Sequence, residues 1–138
     1  MLKERVIYYY IEQNKNCAVS MLQAAGDVYE LNITEEMAGL FTGFGGGMGC
    51  GITCGALSGA IGALSGKYPG MDRETCHTLC TRLVEKFKEK MACDSVDCSV
   101  IAAKYKVPET RCLAAVLLAA EALEEFMEEQ QRDEHDHC

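Results

Sequence analysis

The sequence has no tryptophan, only two prolines, and no charged residue of either sign between Glu36 and Lys67. Scarce proline leaves helices free to run uninterrupted. With 49% apolar residues the chain has material for a packed core, which argues against a disordered polymer. A basic stretch is also missing. The formal charge is −8, and the acid is concentrated from Glu121 to Cys138, where eight carboxylates face Arg132 alone. Nucleic acid, which needs a cationic footprint, is therefore not an expected partner. The uncharged window does not make a membrane span, since eleven of its thirty residues are glycine and its apolar run falls short of the ~20 residues required. Nothing in Met1-Leu2-Lys3-Glu4-Arg5-Val6 resembles a secretory leader; it reads as the start of a charged amphipathic helix, so a cytoplasmic location is expected.

What is abundant is cysteine, nine in 138 residues. In a reducing compartment such a count points to metal binding or redox chemistry before structural disulfides. The length suits one core, and neither strand alternation, nor a repeat, nor a linker is visible. The expected fold is all-α: a compact single-domain bundle of about five to seven helices with a glycine-rich loop. Residues 1–131 would form the cysteine-rich domain and 132–138 an acidic His/Cys tail.

Leu2, Val6, Tyr9, Tyr10 and Gln13 recur at helical spacing, predicting a first helix over 2–13. Asn16 is a suitable cap for a second helix from Cys17 to about Leu31, with Ala18, Met21, Leu22, Ala25 and Val28 on one face, and Thr34 caps a short third through about Phe41. Residues 42–49 carry too much glycine for a regular helix and are read as a loop. A helix over 52–65 follows, on which Gly51, Gly55 and Gly59 would form a bare stripe permitting close approach of a backbone or a bulky inorganic group. Asp72 caps a fifth helix with Cys76, Leu79, Cys80, Leu83, Val84, Phe87 and Met91 along its apolar stripe. A short helix is expected from Cys98 to Tyr105, and Pro108, at a first helical position, is expected to open a last one through about Gln130.

Four cysteines share a setting, each in or near the first turn of an expected helix: Cys17, Cys54, Cys98 and Cys112. Exposed N–H groups and the positive end of the helix dipole there favour a thiolate or a metal-bound sulfur and should lower the thiol pKa. Four matching positions favour one shared site over four separate packing roles. Cys50, one helical turn from Cys54 if the helix has already begun, is a fifth candidate. Cys76 and Cys80 are read as core residues, with a second metal site or a redox pair as the alternative; Cys93 is either an accessory ligand or an incidental thiol. His135-Asp136-His137-Cys138 could chelate a metal but is read as a solvated tail, and His77 as a surface residue.

Asn16-Cys17-Ala18, the run Gly43-Phe44-Gly45-Gly46-Gly47-Met48-Gly49, and Cys54-Gly55-Ala56-Leu57-Ser58-Gly59, followed by Cys98 and Cys112, resemble the redox-active family named for the pattern C_GCAxxG_C_C. The resemblance covers most of the chain and implies a redox role for the four cysteines, with no settled substrate. Cys50, Cys76, Cys80, Cys93 and Cys138 are additions to that pattern.

The expected chemistry is an iron-sulfur cluster for electron transfer or redox sensing, with Cys17, Cys54, Cys98 and Cys112 as ligands and Gly51 and Gly55 making room beside the helix. A thiol-disulfide oxidoreductase, in which Cys54 attacks and Cys17 resolves, is the second reading, although no Cys-x-x-Cys element is present. A zinc or soft-metal module with a closed four-sulfur site is the third. A redox partner is implied but unidentified, and a homodimer is possible through the bare stripe. Nucleotide binding is disfavoured because no Gly-Lys-Ser/Thr follows the glycine loop.

Overall fold

Three helix starts in this protein are set by short polar side chains. Asn16 accepts the Val19 N–H at 2.9 Å, Thr34 accepts that of Met37 at 3.1 Å, and Asp72 accepts that of Thr75 at 2.8 Å. Each satisfies a backbone donor that the first turn leaves without a partner. The computed structural model describes residues 1–136, with side chains through Glu134. Among them are seven α-helices and no strand: α1 (Leu2–Ile7), α2 (Cys17–Tyr29), α3 (Glu35–Gly39), α4 (Gly55–Lys67), α5 (Arg73–Met91), α6 (Cys98–Tyr105) and α7 (Leu113–Asp136). The all-helical architecture expected from the sequence is the one observed. None of these helices is long and apolar enough to cross a membrane.

α1 continues through a widened π turn, Tyr8–Glu12, so the first helical segment ends where its apolar spacing does. α4 is apolar almost all round, with Ala56, Leu57, Ala60, Ala63 and Leu64 buried, and it forms the centre of the bundle against α2, α5 and α7. Its approach to α2 is very close at Gly59, where an added Cβ would stand 2.4 Å from the Ala18 carbonyl oxygen. α5 and α7 pack side by side, burying Leu83, Phe87, Met91, Leu123 and Phe126. On their solvent side Lys86 pairs with Glu125 and Glu129, and Lys90 with Glu125. The carboxylates of α7 are thus partly an inter-helix ion-pair seam.

Two helix starts differ from expectation. α4 begins at Gly55, not Ile52: Gly46, Gly47, Met48, Gly49 and Gly51 all have positive φ, and beyond this left-handed run Ile52 (ψ −137°), Thr53 (bridged to Asp97) and Cys54 (ψ 127°) are still non-helical. α7 begins at Leu113, not Pro108, and extends to Asp136, beyond Gln130. Pro108 lies in a tight turn closed by the Val107 N–H donating to the Arg111 carbonyl at 3.0 Å. A fixed proline φ serves a turn as well as a first helical turn.

Candidate functional site

The four cysteines of the shared pattern reach one place from four directions. Cys17 is the first residue of α2. The Asn16 side chain that caps this helix also donates from Nδ2 to the Thr42 carbonyl at 2.8 Å, tying the start of α2 to the glycine-rich segment. Cys54 is the cap residue of α4: its N–H donates to the Val96 carbonyl at 2.8 Å, and its carbonyl accepts from Leu57 and Ser58 at 3.1 Å each. Cys98 opens α6, and its N–H donates to the Ile52 carbonyl at 2.5 Å. These bonds flank an antiparallel bridge between Thr53 and Asp97, so two short segments far apart in the chain hold Cys54 and Cys98 side by side. α6 is fixed in turn by Lys104 Nζ and Tyr105 Oη, which donate to the Met91 carbonyl at 3.0 and 2.8 Å and cap the end of α5.

Cys112 directly precedes α7, its carbonyl accepting the Val116 N–H at 3.0 Å. Its own N–H donates to Tyr10 Oη at 3.1 Å. The neighbouring Arg111, left-handed at φ 57°, donates from Nη2 to the Tyr10 carbonyl at 2.7 Å and sets its guanidinium 4.1 Å from the centre of the Tyr10 ring. Tyr10 and Arg111 therefore clamp the end of the first helical segment to the start of the last. Tyr10 is only 4% exposed, and the π turn that carries it is a local widening often found where a helix serves a site.

The four cysteines, with Tyr10, Lys106 and Arg111, line a cavity of about 220 Å3. Gly55 belongs to its wall, and a Cβ there would stand 2.4 Å from Cys17 Sγ and 2.9 Å from the Phe44 carbonyl oxygen. Burial is the dominant influence on the thiols. It pushes Cys54 up to about 11; the N–H groups of Leu57 and Ala56 pull the other way without prevailing, and the nearby Cys17 and Cys98 thiols add to the rise. Cys98 is raised by burial and then by Cys17, with Lys106 opposing; Cys112 is raised by burial and then by Cys98, with Lys106 and Arg111 opposing. For these three, the lowering expected from helix starts is overturned: desolvation of the charged form outweighs the helix N–H groups at Cys54 and the nearby cations at Cys98 and Cys112. All three are neutral thiols at pH 7 when nothing is bound to them.

Other expectations separate from this cavity. Cys50 is exposed in the left-handed segment, its thiol 3.6 Å from the Gly47 carbonyl, and it does not share a helix face with Cys54. Gly51 is in that same segment, packed beside Ser99 of α6, and is not on the α4 stripe. Cys76 and Cys80 are both half-buried with sulfurs 4.0 Å apart; Cys80 packs against the core as expected, while Cys76 lies outside it. Cys93 is half-buried between α5 and α6. His77 is exposed as expected. Of the terminal ligands, His135 and Asp136 have helical backbone, while His137 and Cys138 lie outside the described residues. The sequence reading missed Tyr10, Lys106 and Arg111; a cation next to Cys112 was a visible signal, but the Tyr10 contact spans 102 positions and has no local signature.

The cavity offers thiol donors with no carboxylate or imidazole in its wall, a soft set suited to iron-sulfur centres, zinc or copper(I). A single zinc ion needs its sulfurs drawn to about 2.3 Å from one point. No group of three or more His, Cys, Asp or Glu side chains among the described residues is gathered in that way. The four thiols share the cavity wall with the cations Lys106 and Arg111.

The chain is thus all-helical, with four thiols converging on one half-buried, cation-flanked cavity. The chain belongs to the family described as "Putative redox-active protein (C_GCAxxG_C_C)", which matches residues 15–126 and so spans all four cavity cysteines. No curated protein and no solved structure matches the chain.

Proposed function

We propose that this redox-active protein holds an iron-sulfur cluster on Cys17, Cys54, Cys98 and Cys112 and serves in electron transfer or redox sensing. The observation that carries the reading is the delivery of four thiols, each at a helix start, to one cavity with two cations in its wall. Such a cluster supplies one-electron transfer when bound. The chain would contribute the ligands, and at Cys54 the N–H groups of Ala56 and Leu57 would favour the negative charge of a bound sulfur. Lys106 and Arg111 offset part of that charge, and the Tyr10–Arg111 clamp fixes the Cys112 backbone.

Thiol-disulfide exchange is less well supported. An attacking thiol is most effective with a pKa near ambient pH, and Cys54 is pushed to about 11. Metal binding must also displace the thiol proton, but the metal–sulfur bonds supply the free energy for that displacement, and the proton is released to solvent.

The test is a set of serine variants after anaerobic reconstitution with iron and sulfide. Cys17→Ser, Cys54→Ser, Cys98→Ser and Cys112→Ser should each lower bound iron severalfold, whereas exposed Cys50→Ser and half-buried Cys93→Ser should leave it near the parent level. Equal losses across all six would remove the assignment.

A further inference from the structure

A second and larger cavity, about 740 Å3, lies along α4 between α2, α3 and α5. Its walls include Leu22, Met37, Phe41, Phe44, Ile61 and Val84, and no charged residue lines it. The volume falls in the range of small-molecule sites, ~300–1,000 Å3. Two of its hydroxyls are already committed, Ser58 to the Cys54 carbonyl at 3.4 Å and Ser65 to that of Ile61 at 3.0 Å. The third wall hydroxyl belongs to Thr53, which is half-buried and makes no side-chain hydrogen bond within the protein among the described residues. Phe41 and Phe44 form an aromatic wall, their ring centres 5.3 Å apart.

This cavity is one backbone layer from the cysteines. Thr53 precedes Cys54, the Val96 carbonyl accepts the Cys54 N–H at 2.8 Å, and both Thr53 and Val96 line the apolar side while Cys54 lines the other. A charged occupant would be desolvated there without a counter-charge. A wholly aliphatic one would leave Thr53 unused, and neither would exploit the aromatic wall.

We propose that the α4 cavity is a binding site for an uncharged, ring-bearing apolar molecule of the quinone class, with a quinone carbonyl oxygen accepting from the Thr53 hydroxyl. The choice of a redox-capable ring rests on the function proposed above; the chemistry of the cavity itself does not.

The experiment uses the full chain, with and without reconstituted iron. N-phenyl-1-naphthylamine, an uncharged fluorescent probe, should bind saturably at one per chain, and its sulfonated counterpart 1-anilinonaphthalene-8-sulfonate at least about tenfold more weakly, a gap of ~1.4 kcal/mol. Tetramethyl-1,4-benzoquinone should displace the uncharged probe. Ser65→Phe, which fills the cavity from an exposed position on α4, should weaken both ligands by about tenfold with thermal unfolding preserved. Thr53→Val should weaken the quinone severalfold and leave the naphthylamine unchanged. Absence of saturable probe binding, equal affinity for the sulfonate, or indifference to Ser65→Phe overturns the site; probe binding without quinone displacement overturns the ligand class. A concentration-dependent dimer abolished by Leu40→Asp at the 78% exposed rim residue would assign the groove to a second copy and also overturn the proposal. Because binding is read with and without iron, failure of the iron-sulfur assignment is seen separately as absence of iron, whatever the probe does.

Discussion

Gly55 and Tyr10 bear the most specific demands at the scale of single residues. Alanine at Gly55 gains up to ~1 kcal/mol of intrinsic helix propensity. Its Cβ would, however, meet Cys17 Sγ at 2.4 Å and the Phe44 carbonyl oxygen at 2.9 Å. Backbone cannot yield as a flexible side chain can, so overpacking at about 1–3 kcal/mol should prevail. We expect Gly55→Ala to lower the thermal midpoint and retain less reconstituted iron; a stabilised variant with an intact centre would contradict the packing at this wall. Tyr10→Phe keeps the ring under Arg111 but deprives the Cys112 N–H of its acceptor. Leaving a buried donor unpaired costs about 1–3 kcal/mol. The expected readouts are a matching loss in denaturant unfolding and faster amide exchange at Cys112, with far smaller changes at Cys54.

Cys54 also makes stability pH-dependent in the reduced, metal-free protein. Its folded-state pKa is raised to about 11 from an ordinary 9, chiefly by burial. The folded state therefore favours the neutral thiol. This contribution is fully present below about pH 9, where both states are protonated, and is lost as pH rises toward 11 because the unfolded chain deprotonates first. The shift corresponds to roughly 2–3 kcal/mol lost across that window. Chemical unfolding at pH 8 and pH 10.5 should show the decline, and Cys54→Ala should reduce it; a flat profile would mean that Cys54 is solvated.

Among the elements, the ones readable from the sequence are those started by local side chains. Asn16, Thr34 and Asp72 carry their signal within three residues of the amide they cap, and each cap is formed. Asn16 does more than the sequence discloses, because its amide also reaches Thr42 across 26 positions. Asn16→Ala should therefore cost more than the ~1 kcal/mol of an ordinary cap, by losing the bond to the glycine-rich segment as well. A loss confined to α2, with Phe44 and Gly45 of the glycine-rich segment unperturbed in amide exchange, would show the two segments to be independent. The misread starts of α4 and α7 have a common cause: glycine tolerates both helix and left-handed turn, and proline fits both a first helical turn and a tight turn. Long-range pairing chose between them, through Thr53 with Asp97 and Tyr10 with Cys112.

Over the whole molecule, the four cavity cysteines were legible because a shared relation to helix starts is written in the sequence, whereas their electrostatics were not. Thiol pKa depends on how much water the finished fold leaves at each sulfur, and three of the four are governed by burial. Cys50 was misplaced for the same kind of reason, since its proximity to Cys54 in sequence is undone by the left-handed backbone between them. Glu125 and Glu129 of the acidic C-terminal segment, though partly solvent-exposed, pair with Lys86 and Lys90 of α5 along the α5–α7 seam. The central claim is that the convergence of Cys17, Cys54, Cys98 and Cys112 holds an iron-sulfur centre. The most direct measurement is the visible spectrum of protein purified without oxygen, together with its iron and acid-labile sulfide content. The account predicts a coloured protein with sulfur-to-iron charge-transfer absorption and near-stoichiometric iron and sulfide; a colourless protein carrying zinc, or one that stays metal-free with titratable disulfides after full reconstitution, would contradict it.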